Sequence, residues 1–182
     1  LSDEAFYRKE EHQSQVIDLH TYKWSDVRKS YRGLINQAAK KYAFNDWHGS
    51  KLIAYRFRHI HQAANGIVRN EATYDIQEQW VKSGTGMVVL AWQGYEEIDR
   101  VVAGAYWIIC DSNAYYMSGP SIEDNVQHAV IWRSLHLLRE IGIRYVELGQ
   151  IDGETEKERN IGKFKQGFGG EAKLFTIVRR TI

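Results

Sequence analysis

Residues Glu156–Gly170 read EKERNIGKFKQGFGG, and how this stretch folds decides how the last third of the chain is organised. Glu156 to Lys165 is rich in charged helix formers and predicts a short helix. Gln166-Gly167-Phe168-Gly169-Gly170 then stops it, because closely spaced glycines favour backbone conformations closed to other residues. Phe164 and Phe168 read as packing anchors, and Lys165 as a loop lysine set among the glycines. Beyond the glycines, Ala172 to Val178 alternates well enough for a final strand.

Upstream, Asn125 to Ile141 has helical spacing, with Val126, Val130, Leu137 and Ile141 on one side and Gly142 closing it before a strand, Arg144 to Leu148. Met87 to Trp92, Val101 to Ile109 and Ala114 to Ser118 are rich in β-branched and aromatic residues. Turns at Gln93–Asp99 and Asp111–Asn113 make them an antiparallel meander. Strand, helix and strand in succession imply a right-handed crossover and a parallel pair.

The first third is helical. Val16 to Leu19 predicts a short strand, and Ser25 an N-cap for a helix to about Tyr42, with Val27, Tyr31, Leu34, Ile35, Ala38 and Tyr42 on its core face. Ser50 to Asn65 predicts a second helix, with Ile53, Phe57, Ile60 and Ala64 inward and Gly66 as its left-handed cap. Thr73 to Lys82 predicts a third, with Ile76 and Trp80 one turn apart. The fold class is α/β (α+β): a mixed sheet, antiparallel through its middle, with one parallel pair joined by a crossover helix.

That order of elements is the order of the GNAT acyltransferases, and four stretches resemble the Fem-type branch of that superfamily. They are the basic helix Arg28–Ala38; His61–Arg69; Ala103–Ala105 with Ala114–Gly119 leading to His128 and Trp132; and Tyr145–Gly149 with Phe164–Gly170. The branch includes peptidoglycan bridge-forming aminoacyltransferases and sugar-directed N-acyltransferases. The resemblance implies a GNAT-like domain over residues 1–182, similar to the second of the two units of Fem-type proteins. It also implies an N-acyltransferase acting on an amine of a small acceptor, such as an amino sugar in a wall or polysaccharide precursor. Leu1 opens the chain without an initiator methionine, which suits the C-terminal part of a longer protein.

Composition narrows the alternatives. Lysine and arginine number 24 against 23 acidic residues, so no bulk field draws the chain to nucleic acid or an anionic membrane. Cys110 is the only cysteine, which excludes a disulfide framework and a CxxC metal site and suits the cytoplasm. No stretch approaches the roughly 18 apolar residues of a membrane span, so no membrane insertion is expected. His59 and His61 stand two apart on a helix, whereas paired helical metal ligands stand four apart, so no metal is expected. Nor is a tightly bound cofactor; acyl-CoA is the expected cosubstrate.

Acyl transfer needs a neutral nucleophile, a stabilised oxyanion and a site shielded from bulk water. The catalytic candidates are Lys165, which the resemblance places at the reacting end of the donor site, Glu147 as a general base at the end of the parallel strand, and Tyr116 as a proton donor. Of Tyr115 and Tyr116, adjacent in a strand, one should face the core and the other the cleft or solvent. The helix start at Asn125, Gln127 and His128, with Phe164 and Lys165, forms the donor side, since helix N-termini attract phosphate. Arg28 and Arg32 on one helix face, with His61 and Arg69, form the acceptor side. Ile122–Val130 reads IEDNVQHAV, without the glycine loop that wraps the coenzyme A pyrophosphate in ordinary GNAT enzymes. The alternatives are therefore an aminoacyl-tRNA-dependent transferase and a non-catalytic GNAT-like binding module.

Overall fold

A computed structural model describes residues 7–45, 51–66, 69–93 and 100–180. The elements run β1 (Tyr7–Asp18), a single 3₁₀ turn (Trp24–Asp26), α1 (Lys29–Lys41), β2 (Ala43–Asn45), α2 (Lys51–Asn65), α3 (Glu71–Ser83), β3 (Gly86–Gln93), β4 (Arg100–Cys110), β5 (Asn113–Ser118), α4 (Val126–Glu140), β6 (Tyr145–Gln150), α5 (Glu156–Gln166) and β7 (Glu171–Arg180). Ser50 and most of the Gln93–Asp99 turn lie outside the described residues.

The strands form one seven-stranded sheet in the order β2-β3-β4-β5-β6-β1-β7. Among the described residues only β5 and β6 pair in parallel, joined through α4; the other neighbours are antiparallel. The expected mixed sheet is thus the observed one.

β3 explains why the middle of the sheet is apolar on both sides. Met87, Val89 and Ala91 join one core with Ile35 and Ala38 of α1 and Val130, Leu135 and Leu138 of α4. The alternate residues Val88, Leu90 and Trp92 join a second core with Phe57 and Ile60 of α2 and Val81 of α3. Alternation along a strand sends neighbours to opposite faces, so α1 and α4 cover one face and α2 and α3 the other.

Several local expectations are corrected. Ser25 lies in the 3₁₀ turn, and α1 begins only at Lys29 with Arg28 at its cap position. α3 begins at Glu71 because the Asn70 side chain accepts from the Ala72 N–H. Its inward residues are Tyr74, Gln77 and Val81, which leaves Ile76 exposed. Ile141 caps α4 and is exposed, whereas Gly66 takes the expected left-handed conformation after α2, as does Gly84 after α3. β1 starts at Tyr7, well before Val16, and β2 was not foreseen.

The glycine-rich stretch ties the end of the chain to its beginning. Three successive carbonyls accept bonds from the N-terminal segment: Gly167 from the Arg28 N–H, Phe168 from the Tyr22 hydroxyl, and Gly169 from the Gln15 amide. Gly170 then enters β7 at φ +85, and a Cβ there would stand 2.3 Å from the Val16 carbonyl oxygen. Only glycine fits both constraints. Phe168 itself is fully buried, with Tyr31, His128 and Phe164 around its ring.

Candidate active site

β5 and β6 pair only over Asn113–Tyr115 and Tyr145–Glu147. Past those residues β5 runs on to Ser118 and β6 to Gln150 without pairing to each other, so the sheet splits at their C-terminal ends. Each strand carries an extra residue there. Tyr116 and Ser118 face Trp107 and Tyr106 of β4 with Met117 between them, and Glu147 and Gly149 face Val16 and Gln15 of β1 with Leu148 between them. Such bulges bend a strand and add twist, which is the local cause of the separation. Open α/β sheets bind ligands at such carboxyl ends.

Three polar groups border the split. Glu147 and Tyr115 sit opposite one another in the last parallel pair, so their side chains leave the same face. Lys165 reaches in from α5, its Nζ donating to the Gln150 carbonyl at 3.0 Å. Gly149 makes room for both Lys165 and Tyr115. At its φ of +84, an added Cβ would lie 3.1 Å from Lys165 Nζ and 3.3 Å from Tyr115 Oη. Burial lowers the pKa of Lys165, an effect opposed by the Glu147 charge. Burial also raises the Tyr115 pKa, reinforced by Glu147, so the phenol stays protonated at neutral pH. A hollow of about 420 Å³ opens beside Tyr115 and Glu147 and runs from them towards Asn113 at the start of β5, with Tyr145, Lys173 and Phe175 along it; Lys165 does not line it.

Lys165 therefore belongs to the last turn of α5, not to a glycine loop. That helix is placed by a capping box. Thr155 Oγ1 accepts from the Glu158 N–H, and the Glu158 carboxylate accepts from the Thr155 N–H. The pattern Thr155-x-x-Glu158 is readable in the sequence and is the physical reason that α5 starts at Glu156, as expected.

Tyr116 is not the tyrosine beside Lys165. It packs on Trp107, 5.0 Å between ring centroids, and its hydroxyl accepts from Gln127 Nε2. Gln127 also donates to the Gly104 carbonyl, which fixes the start of α4 against β4 and β5. Asn125 stands at the cap position of α4 with φ +63, exposed, and its side chain makes no capping bond. His128 Nδ1 lies 3.0 Å from the Asn125 carbonyl, which only accepts, so this nitrogen carries the proton. The His128 ring lies in an aromatic cluster with Tyr31 and Phe164. The donor-side side chains are thus largely engaged within the fold, and the first turn of α4 offers its backbone.

The four acceptor residues do not come together. Arg28 stands at the cap position of α1 and Arg32 in its first turn, with the Arg28 guanidinium over the Tyr31 ring at 5.2 Å. His61 lies in α2 on the other face of the sheet, buried against Phe57 and Tyr74, with Arg69 close enough to depress its pKa further. Among the described residues no group of three or more His, Cys, Asp or Glu side chains could hold a metal. No described helix is long and apolar enough to cross a membrane.

Two outcomes can be measured without a substrate. Gly149→Ala is expected to cost about 1–2 kcal/mol from the left-handed backbone alone, and to push Lys165 off Gln150; chemical denaturation and a Lys165 side-chain NMR shift would check both. Burial also depresses the pKa values of His61 and His128 below the ordinary 6.5. As pH falls, the unfolded chain takes up these protons first. The contribution of these histidines to stability is then expected to hold near neutrality, fall below about pH 6.5, and level off once the folded-state values are passed. His61→Asn should remove part of that slope in melting curves.

No family model matches the chain, and no curated protein matches its sequence. Solved structures do match. FemX aligns with a TM-score of 0.69 at 12% identity, covering 89% of this chain and 59% of its own. The C-terminal domain of a protein named as a lysylphosphatidylglycerol synthetase from Agrobacterium fabrum aligns at 0.67 and 12% identity, covering 96% and 62%. A protein named as a GNAT-family acetyltransferase from Desulfovibrio desulfuricans aligns at 0.50 and 12% identity, covering 76% and 98%. The chain thus spans about three fifths of the first two. Its fold is the GNAT-like fold that it shares with FemX and these structures.

Proposed function

We propose that the chain is an N-acyltransferase that carries an activated acyl or aminoacyl group to an amine at the split between β5 and β6. The observation that carries this reading is the convergence of Lys165, Tyr115 and Glu147 on the point where β5 and β6 part. Glu147 takes a proton from the acceptor amine as its nitrogen bonds to the donor carbonyl carbon. The carbonyl oxygen becomes an oxyanion beside the Lys165 ammonium. Collapse breaks the bond to the leaving group, which takes the Tyr115 proton, and the proton held by Glu147 restores the phenol.

The acceptor sits in the hollow beside Glu147, where Lys173 suits an anionic molecule such as an amino sugar of a wall or polysaccharide precursor. Arg28, Arg32, His61 and Arg69 are too dispersed over the two helix layers for that task. The donor is acyl-CoA, with a phosphate on the backbone N–H groups at the start of α4. An aminoacyl-tRNA donor is the second reading. It is favoured by the missing glycine loop and by a closer fit to the lysyl-named synthetase than to the GNAT-family acetyltransferase.

Thermal unfolding with coenzyme A, acetyl-CoA and aminoacyl-tRNA separates these readings. A ligand at 100 times its Kd adds about 2.7 kcal/mol. Stabilisation by the coenzyme A species is expected. Stabilisation by aminoacyl-tRNA alone would move the proposal to the second reading, and no stabilisation by any of them would sink both.

A further inference from the structure

The two edges of the sheet differ. β2 is three residues long, a short edge that offers little to pair with. β7 is ten residues long and pairs with β1 in unbroken register from Glu171 to Arg180. β6 backs β1 only over Ser14–Asp18. The segment after β6 extends that support to Gln13 and His12, through the Ile151 N–H on the Gln13 carbonyl, and Asp152 on the Gln13 N–H and near His12. Beyond it, Tyr7–Glu11 and Thr176–Arg180 form a two-stranded arm. Isolated two-stranded ribbons are marginal in water.

The middle of β7 does nothing to blunt this edge. Leu174-Phe175-Thr176-Ile177-Val178 contains no charge, proline or bulge. Its four apolar side chains are all exposed, from Phe175 at 38% to Leu174 at 62%. They leave both faces of the strand, so no single docked helix would cover them.

We infer that β7 pairs antiparallel with β7 of a second copy of this chain, joining two sheets across a two-fold axis. A symmetric antiparallel pair must centre on a residue, because opposite residues must turn their backbone groups the same way, both towards the partner or both away from it. Centring on Phe175 sets Glu171 opposite Arg179 at both ends, Lys173 opposite Ile177 and Leu174 opposite Thr176. Centring on Thr176 instead sets Lys173 opposite Arg179, a like-charge pair that is destabilising. Of these two registers charge selects the one centred on Phe175, which also sets an opposite-charge pair at each end. Phe175 also lines the hollow beside Glu147, so the second copy borders the candidate site.

The interface is one strand wide, so a weak, concentration-dependent dimer is expected, at the low end of the interface size range. Sedimentation velocity over a range of concentrations reads it directly. Wild type should shift from monomer to dimer. Phe175→Lys, at an exposed position, should raise the dimer Kd at least about tenfold, a change of about 1.4 kcal/mol, with an unchanged melting temperature in dilute solution. Glu171→Arg should weaken association, and Glu171→Arg combined with Arg179→Glu should restore it. A chain that stays monomeric at the highest concentration overturns the inference. So does a dimer indifferent to Phe175→Lys, or a charge reversal without rescue. None of these outcomes depends on a substrate, so they stand apart from the fate of the transferase proposal.

Discussion

Lys165→Met is expected to lower turnover by about 10²–10³-fold, the loss typical when one oxyanion-stabilising donor is removed. Methionine keeps most of the stem that crosses from α5 to the end of β6 and removes only the ammonium. The fold should survive, because the lost bond is one lysine contact to the Gln150 carbonyl on a half-exposed helix turn. If Lys165 acts on the reacting carbonyl, kcat should fall with KM little changed. An equal melting temperature with intact kcat would remove Lys165 from the mechanism. Tyr115→Phe gives a graded companion, since it keeps the ring and deletes the proton expected to leave with the donor fragment.

Phe168→Ala is expected to cost about 3–5 kcal/mol of stability, the usual range for emptying a buried aromatic site. The ring has no exposed surface, and Tyr31 and Phe164 lie 5.5 and 5.3 Å away between ring centroids. The neighbouring carbonyls are held by Arg28, Tyr22 and Gln15, so the backbone cannot easily collapse into the space. Against a total of roughly 5–15 kcal/mol this is a large share. A melting temperature lower by about 10 °C is expected for a domain of this size. Phe164→Ala, at a half-buried position in the same cluster, should cost less. Equal losses at the two sites would mean that the ring cluster, and not burial of Phe168, sets the energy.

Much of the architecture was legible because it rests on burial. β3 to β5, α4 and β6 carry apolar patterns that solvent enforces, and their order alone yields the parallel pair. The parts that were not legible lie where burial is weak. Tyr7–Gln13 reads YRKEEHQ and gives no alternating apolar signal, since in the fold it runs along the arm with most described side chains at least partly exposed. Ser14 and Gln15 are polar yet buried, and Gln15 is inside because Gly169 needs its amide. No local pattern announces a bond across 154 residues of sequence.

The site was legible in part for a similar reason. Glu147 at a strand end and Lys165 beside the glycines could be picked from position and resemblance. The choice between Tyr115 and Tyr116 depends on the pleat of β5 and the bulge at Met117, and a bulge leaves no mark in the residues themselves. The spread of Arg28, Arg32, His61 and Arg69 depends on which sheet face each helix covers. Helical periodicity says where a helix is apolar, but not which side of the sheet receives it.

In the proposed transferase the acyl donor is held at the split between β5 and β6. Amide chemical-shift mapping of labelled protein titrated with acetyl-CoA, and separately with an aminoacylated acceptor-stem RNA, is the decisive experiment. Shifts at Tyr116–Ser118, Leu148–Gln150 and the first turn of α4 are predicted for at least one of the two donors. Shifts confined to other parts of the sheet, with those residues unmoved, would rule out a donor site at the split.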